Sequence, residues 1–355
     1  IFESIQTTEA IATISYSYTA IASDIDVGDA LTFAAQTLPS WLLFPLFMVN
    51  RFFNTFVSGG LKHEIGDNTN YDRDVHNLCE KFPPHISFTN KEELEGKRIL
   101  KKFGIPEDAK LVCLAVRDSG YLARHNKYSM RDFTYHNYRD GDIDKYVLAA
   151  EELARRGYYV FRMGTNVLKP LKSSNPKVID YANSVMRSDF MDVYLGAKCS
   201  FCVSTAYGFD GIPYIFRKPI AYIFIPLGEL RVNGGNENFL LILKYHISKK
   251  NNKKLSISEI FSSNTAMAFK SEIFESNNII LQENDPEEIR DLVIEMDERL
   301  NGNWTETDED LFLQKKFWSI FIENMNKLKL KKPMNGKIKA RFGAKFLRNN
   351  KNLIN

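Results

Sequence analysis

The chain has 355 residues, 44% of them apolar and 26% charged, with a formal net charge of +3. That length suits about two domains with sizeable cores. The near-neutral balance argues against nucleic acid as a partner, because non-specific nucleic-acid binders gather uncompensated Lys and Arg on one face. No stretch approaches the roughly 20 apolar residues of a membrane span. The nearest, Trp41 to Val49, is interrupted by Pro45 and reads as buried helix or strand, with interfacial membrane contact as the alternative.

The sequence opens on Ile1 rather than Met, so residue 1 need not be the native start. The cysteines are Cys79, Cys113, Cys199 and Cys202, at least two of them in apolar strand-like runs, which suits a reducing, cytoplasmic setting. Cys199-x-x-Cys202 has the spacing of half a zinc site. No second pair exists and Cys202 continues into a strand, so buried thiols are expected there.

Residues 1–60 give mixed signals and define no topology. Gly66 to Pro84 is polar and punctuated, and reads as a linker. Lys91 to Phe103 reads as a helix with Leu94, Ile99 and Leu100 near one face, stopped by Gly104 and Pro106. Leu111 to Val116 is then a six-residue apolar run, the signature of a strand buried on both faces in a parallel sheet. It ends in Arg117 and Asp118, and ligands of open α/β sheets gather at that end of the strands. The alternative is a solvated turn.

Ser119 to Gly141 reads as a long loop carrying Arg124, His125, Lys127, Arg131, His136, Tyr138 and Arg139, dense enough in basic and aromatic side chains to suit an anionic ligand. A solvated charge run is the plainer reading. Asp142 caps a helix with apolar positions at Ile143, Tyr146, Val147, Ala150, Leu153 and Ala154, closed by Gly157. Tyr158 to Gly164 is a second strand, so strand, helix and strand form a parallel crossover that brings Arg162 and Gly164 to the same edge as Arg117. Further strands are expected at Val178 to Tyr181, Lys198 to Val203 and Ile220 to Phe224, with a helix from an Asp189 cap to Ala197. The turn Ser204-Thr205-Ala206-Tyr207-Gly208 follows a strand end, where backbone N–H groups and hydroxyls can hold a phosphate or sugar.

Glu283 to Glu288 starts a helix with a cap and Pro286 in its first turn, with Ile289, Leu292, Val293, Met296 and Leu300 as its buried stripe. A helix from about Asp308 carries Phe317, Ile320, Phe321 and Met325. Beyond Glu323 there is no acidic residue, while Lys and Arg recur among Ile338, Phe342, Phe346 and Leu347. This reads as a basic amphipathic tail for an anionic membrane surface, or as a solvated tail.

Asp142-Ile143-Asp144 has the D-x-D form of a metal site, but it sits at a helix start, where capping and the helix dipole account for both carboxylates. His125 and His136 can each serve as a base at neutral pH, or stand as surface loop residues. The chain has no G-x-S-x-G turn, P-loop or G-x-G-x-x-G fingerprint, which lowers hydrolase, ATPase and dehydrogenase readings.

Several runs in order, Val116-Arg117-Asp118-Ser119, Tyr138 to Tyr146, Gly157 to Gly164, the Ser204 to Gly208 turn, Leu255 to Ile260, Glu283 to Ile289 and the Phe342 to Leu347 tail, resemble a family of bacterial glycosyltransferases linked to surface-carbohydrate synthesis. The elements from Leu111 to Val203 also look like the donor-binding half of fucosyltransferase-like enzymes. The resemblance covers roughly Leu111 to the C-terminus and implies a GT-B-like α/β fold. It departs from the fucosyltransferase pattern in having Ala115-Val116-Arg117 where His-x-Arg is usual. It implies an N-terminal acceptor-side domain over 1–95, short enough to be reduced or truncated, a Rossmann-like nucleotide-sugar domain over 96–335, and the basic tail over 336–355.

By that resemblance Arg117 holds the diphosphate of a nucleotide-sugar, with the turn of Ser204, Thr205, Ala206, Tyr207 and Gly208 beside it; Arg139 and Arg162, with Gly164 at the same edge, are further candidates to meet its charge. Asp118, His125 or His136 activates an acceptor hydroxyl of a glycan or lipid-linked acceptor, and no metal or other cofactor is required. The alternatives are a non-catalytic nucleotide- or carbohydrate-binding protein and an assembly protein brought to the inner face of a membrane by its tail.

Overall fold

The computed structural model describes residues 77–124, 132–227, 230, 237–328 and 337–355, with 44–45, 48–49, 52 and 56. The readings for residues 1–60 and for the start of the linker thus lie almost wholly outside the described residues.

The central strand β1 (Leu111–Ala115) has all five residues buried. It pairs in parallel with β2 (Tyr159–Arg162) on one edge and, through the return of the chain, with β4 (Phe201–Ser204) on the other. Outside β2 lies β3 (Val178–Ile179); outside β4 lie β5 (Ile220–Ile225) and β6 (Phe239–Leu243), all parallel. The strand order from β3 is therefore 3-2-1-4-5-6, and the direction of travel reverses between β1 and β4.

Successive residues of a strand point to opposite faces, so both faces must be covered. In β4, Phe201 packs on Tyr158, whose hydroxyl donates to Asp297 at 2.8 Å, while Cys202 points to the face where Cys199 lies. Of the helices that follow, α1 (Leu78–Lys81) and α2 (Asn90–Lys102) precede β1, and α3 (Gly120–Arg124) follows it. The first face is covered by α4 (Val147–Arg155), and the second by α5 (Asp189–Lys198) with α6 (Gly211–Ile215). Ser188 caps α5 by accepting from the Met191 N–H at 3.2 Å, so Asp189 is its first helical residue rather than its cap. Helix α2 docks beside α5 through Glu93, which accepts from Tyr194 at 3.2 Å. It therefore runs across the boundary expected at residue 95, and its Leu94 is 70% exposed.

Beyond β6 the chain forms a small antiparallel sheet in the order β8-β7-β9, from β7 (Tyr245–Ser248), β8 (Lys253–Lys254) and β9 (Ile279–Gln282). Two short helices, α7 (Ile257–Ser262) and α8 (Ser271–Ser276), join its strands. The next, α9 (Pro286–Leu300), starts in a capping box in which Glu288 takes the Asp285 N–H at 3.2 Å, and it packs on α4. Leu300 is left exposed, because the packed stretch ends one turn earlier at Asp297.

The C-terminal segment departs most from expectation. After α10 (Asp308–Lys327), the strand β10 (Arg341–Phe342) joins the sheet parallel to β6, and α11 (Ala344–Asn349) closes over it. Phe342, Phe346, Leu347, Leu353 and Ile354 are core residues. Its cations meet carboxylates: Lys345 pairs with Asp291 at 2.7 Å and Lys351 with Glu309 at 2.5 Å, while Lys339 pairs with Glu80, Arg341 with Glu306 and Arg348 with Asp310. The expected membrane-binding tail is therefore corrected for residues 337–355. A surface helix needs a free apolar face and spare positive charge, and here both are used inside the fold. No helix among the described residues is long and apolar enough to cross a membrane.

Phe342 is fully buried, with its ring centroid 3.9 Å from that of Phe317. Phe342→Ala is expected to lower stability by about 3–5 kcal/mol, as core aromatic truncations do. Urea unfolding checks this; an unchanged midpoint would mean the segment is not part of the cooperative unit.

Candidate functional site

The loops after β1 and β4 are stitched together where the strand order reverses. The Thr205 N–H donates to the Ala115 carbonyl at 3.1 Å, and the Arg117 N–H donates to the Thr205 hydroxyl at 2.9 Å. Ser204 is bonded to Asp210 and also takes the Ala206 N–H at 3.1 Å. The Ser204 and Thr205 hydroxyls therefore hold the turn itself. Ala206 sits at φ +60°, and its carbonyl accepts from the half-buried Arg139 guanidinium. Gly208 opens a single 3-10 turn with Phe209 and Asp210.

Arg117 does not reach out to solvent. Its side chain is 5% exposed and is paired with Asp140, and the Gly141 N–H returns to the Arg117 carbonyl at 2.9 Å. The loop expected to be irregular thus folds back on the end of β1, carrying a 3-10 segment at Thr134–Arg139. His136 lies in that segment against Tyr135, its ring centroid 4.1 Å away. It does not line the cleft described below, and His125 lies outside the described residues.

Asp118 joins two loops. Its carboxylate takes the Gly120 N–H at 2.9 Å, the Leu168 N–H at 3.0 Å and Arg162 at 3.4 Å. A Cβ on Gly120 would stand 2.2 Å from the Asn166 carbonyl oxygen, so glycine allows the two loops to meet. Gly164 turns the chain out of β2 at φ +131°, a conformation that favours glycine. Arg162 is fully buried, its Nη2 3.4 Å from Asp118 and its Nη1 3.9 Å from Asp180. Its Nε and Nη1 have no hydrogen-bond partner. Burial pushes the Tyr207 phenol well up; Arg162 opposes that shift, while Asp210 and Asp118 add to it. The Tyr207 hydroxyl has no hydrogen-bond partner either.

A cleft of about 280 Å³ opens over the ends of β1 and β2. Asp118, Asp140, Asp142, Arg162, Lys169 and Glu283 line it, with Ser119 and Gly141. Lys169 crosses its mouth to Asp142 at 2.7 Å and Asp144 at 2.5 Å, so the D-x-D carboxylates are engaged in a lysine bridge as well as in capping. Glu283 arrives from the start of α9, taking the Asp142 N–H at 3.3 Å and lying 3.7 Å from Lys145. Among the described residues, no group of three or more His, Cys, Asp or Glu is arranged to hold a metal. Cys199 and Cys202 are buried thiols.

Sequence reasoning singled out Arg117, Asp118, Arg162 and the β4 turn, and these do converge around the ends of the central strands. It missed Asp140, Lys169, Asp180, Lys244 and Glu283 as site residues. Lys244 had a signal available, since it ends the apolar run Phe239 to Leu243 as Arg117 ends that of β1. Its ammonium is buried and donates to the Tyr138 carbonyl, tying the 3-10 segment to β6.

Burial pushes the Lys244 amine down to about 7; Glu283 works against this shift, and Arg117 and Lys145 add to it. Between about 7 and the ordinary lysine value of 10.5 the folded chain binds fewer protons here than the unfolded chain. Stability contributed by this group therefore rises with pH across that window. Lys244→Met is expected to flatten that rise in unfolding measured from pH 7 to 10; an identical slope in both proteins would contradict it.

No family model matches this chain, and no curated protein or solved structure matches it.

Proposed function

We propose that this protein is a glycosyltransferase that moves a sugar from a nucleotide-sugar donor to a surface-glycan or lipid-linked acceptor, with the parallel sheet as the donor-binding half of a GT-B-like enzyme. The observation that carries the reading is the reversal of strand order between β1 and β4 beside a polar cleft. In open α/β sheets that reversal is where nucleotides bind, outside the carboxyl ends of the strands. The order of runs that resembles surface-carbohydrate glycosyltransferases points the same way.

On this reading the diphosphate lies along the turn after β4, near Arg139, and the sugar faces the cleft over β1 and β2. Charge that develops on the leaving diphosphate is met by that guanidinium and by backbone N–H groups of the turn. Asp118 is committed to three donors. The base for the acceptor hydroxyl is then best supplied by Glu283, which carries one long hydrogen bond and one loose lysine contact. The scheme calls for no metal.

The engagement of Arg117 by Asp140 favours a second reading, a binding protein without turnover, because the arginine expected to hold the diphosphate is already neutralised. Two measurements separate these. A panel of UDP, GDP, CMP and ADP is expected to contain one nucleotide that selectively raises the melting temperature, by the equivalent of about 2.7 kcal/mol at a hundredfold excess over Kd. The shift is expected to shrink in Arg139→Ala, and a flat panel would remove the transferase reading. With the matching labelled donor, Glu283→Gln is expected to lower kcat by about 10²–10⁴ with binding retained; binding without turnover in the wild type would select the second reading.

A further inference from the structure

We infer that residues 164–170, the loop after β2, form a strap that gates the cleft, with the Lys169 ammonium as its latch. The inference rests on the transferase reading only in naming what passes the gate, a nucleotide-sugar. The strap is anchored at both ends. Gly164 turns out of β2 at φ +131°, and Leu171 is buried, its N–H donating to Asp180 at 3.1 Å. Between these anchors Asn166, Leu168, Lys169 and Pro170 are exposed, Leu168 by 53%. Among the described residues, no backbone–backbone hydrogen bond joins 164–170 to the rest of the fold. Segments with few backbone ties and few buried apolar contacts open at low cost.

What holds the strap down is side-chain chemistry at the mouth. The Leu168 N–H donates to Asp118 at 3.0 Å, Arg124 donates to the Val167 carbonyl at 3.3 Å, and Lys169 reaches Asp142 at 2.7 Å and Asp144 at 2.5 Å. Leu168 and Lys169 line the cleft, and so do Asp118 and Asp142. The side chains of Lys169, Asp142 and Asp144 are 47%, 44% and 51% exposed, so the latch is weak and is screened by salt. That strength suits a gate, since a buried bridge would keep the mouth shut. Opening at the Gly164 turn withdraws Lys169 from Asp142 and the Leu168 N–H from Asp118. Two carboxylates that line the cleft therefore gain free acceptor positions as the mouth clears, which couples entry to the readiness of the acidic wall.

Thiol accessibility tests this without a ligand. Ser119 lines the cleft, and alkylation of Ser119→Cys by neutral iodoacetamide is followed at that residue by mass spectrometry. Adding Lys169→Met is expected to raise the rate at residue 119 by about fivefold, the upper end of what an exposed bridge is worth. Loss of a nearby cation raises a thiol's pKa and by itself slows alkylation, so acceleration reports access. With Lys169 in place, about 0.5 M NaCl is expected to bring the rate toward that of the variant. Hydrogen exchange on Lys169→Met alone, with Ser119 intact, is expected to quicken over residues 164–170 and not in β1 or β2. An unchanged alkylation rate, or exchange that quickens equally in β1 and β2, would overturn the inference. A flat nucleotide panel would remove the transferase reading and leave the gate; a Lys169→Met protein that behaves like the wild type in both measurements would remove the gate and leave that reading.

Discussion

Everything in this fold depends on β1 being bonded in parallel on both edges and buried on both faces. Its residues can carry no polar side chain along the strand, so chemistry is displaced to the ends. The chain fills one side of β1 first and then the other, and the loops after β1 and β4 meet at the reversal, where the Arg117 N–H donates to the Thr205 hydroxyl. The same requirement explains the C-terminal segment. Once β6 is in place its outer edge is an open row of backbone donors and acceptors, and β10 takes it, pairing Arg341 and Phe342 with Leu240 and Leu241. What looks in composition like a detached basic arm is thus the last strand of the sheet.

Parallel strands also place many charged loop residues close together at one end, where water is partly excluded. Charges in such a setting are stable only when paired. The pairs here are made mostly between loops: Asp118 joins the segments after β1 and β2, Asp140 holds Arg117, and Glu283 reaches Asp142 across 141 positions of sequence. The result is a cleft held in shape by ion pairs, whose lining carries more carboxylates than bases. Arg162 is the exception, because its two carboxylates at 3.4 and 3.9 Å leave two of its nitrogens without a hydrogen bond.

The sheet was legible in the sequence where apolar runs were long and flanked by turn residues. Leu111 to Ala115 and Ile220 to Ile225 fall within a residue or so of expectation, and the helix with Pro286 in its first turn is capped by Asp285, whereas Asp142 caps a 3-10 turn over Ile143–Tyr146 and the α-helix expected from it begins only at Val147. Strand order was not legible, since parallel partners leave no local mark. The tail failed for a related reason: two residues of edge strand look like any basic stretch until the carboxylates that neutralise them, such as Glu306 and Asp310, are seen opposite. At the site, residue types at strand ends were informative about position and misleading about role. Arg117 lies where a ligand-binding arginine belongs, yet whether an arginine faces a ligand or a carboxylate is decided by a loop that sequence alone does not place.

That distinction bears on how the small antiparallel sheet contributes. Strands β7 and β9 hold the start of α9, which carries Glu283 to the cleft, and Lys244, between β6 and β7, holds the Tyr138 carbonyl of the loop that carries Asp140. Asp140 in turn holds Arg117. A buried amine is a poor structural tie on solvation grounds alone; its position makes sense as the point where the sheet, the basic loop and the acidic wall are brought into one arrangement. The segment from 244 to 283 therefore acts on the cleft twice, once by supplying Glu283 and once by fixing the loop that decides which way Arg117 points.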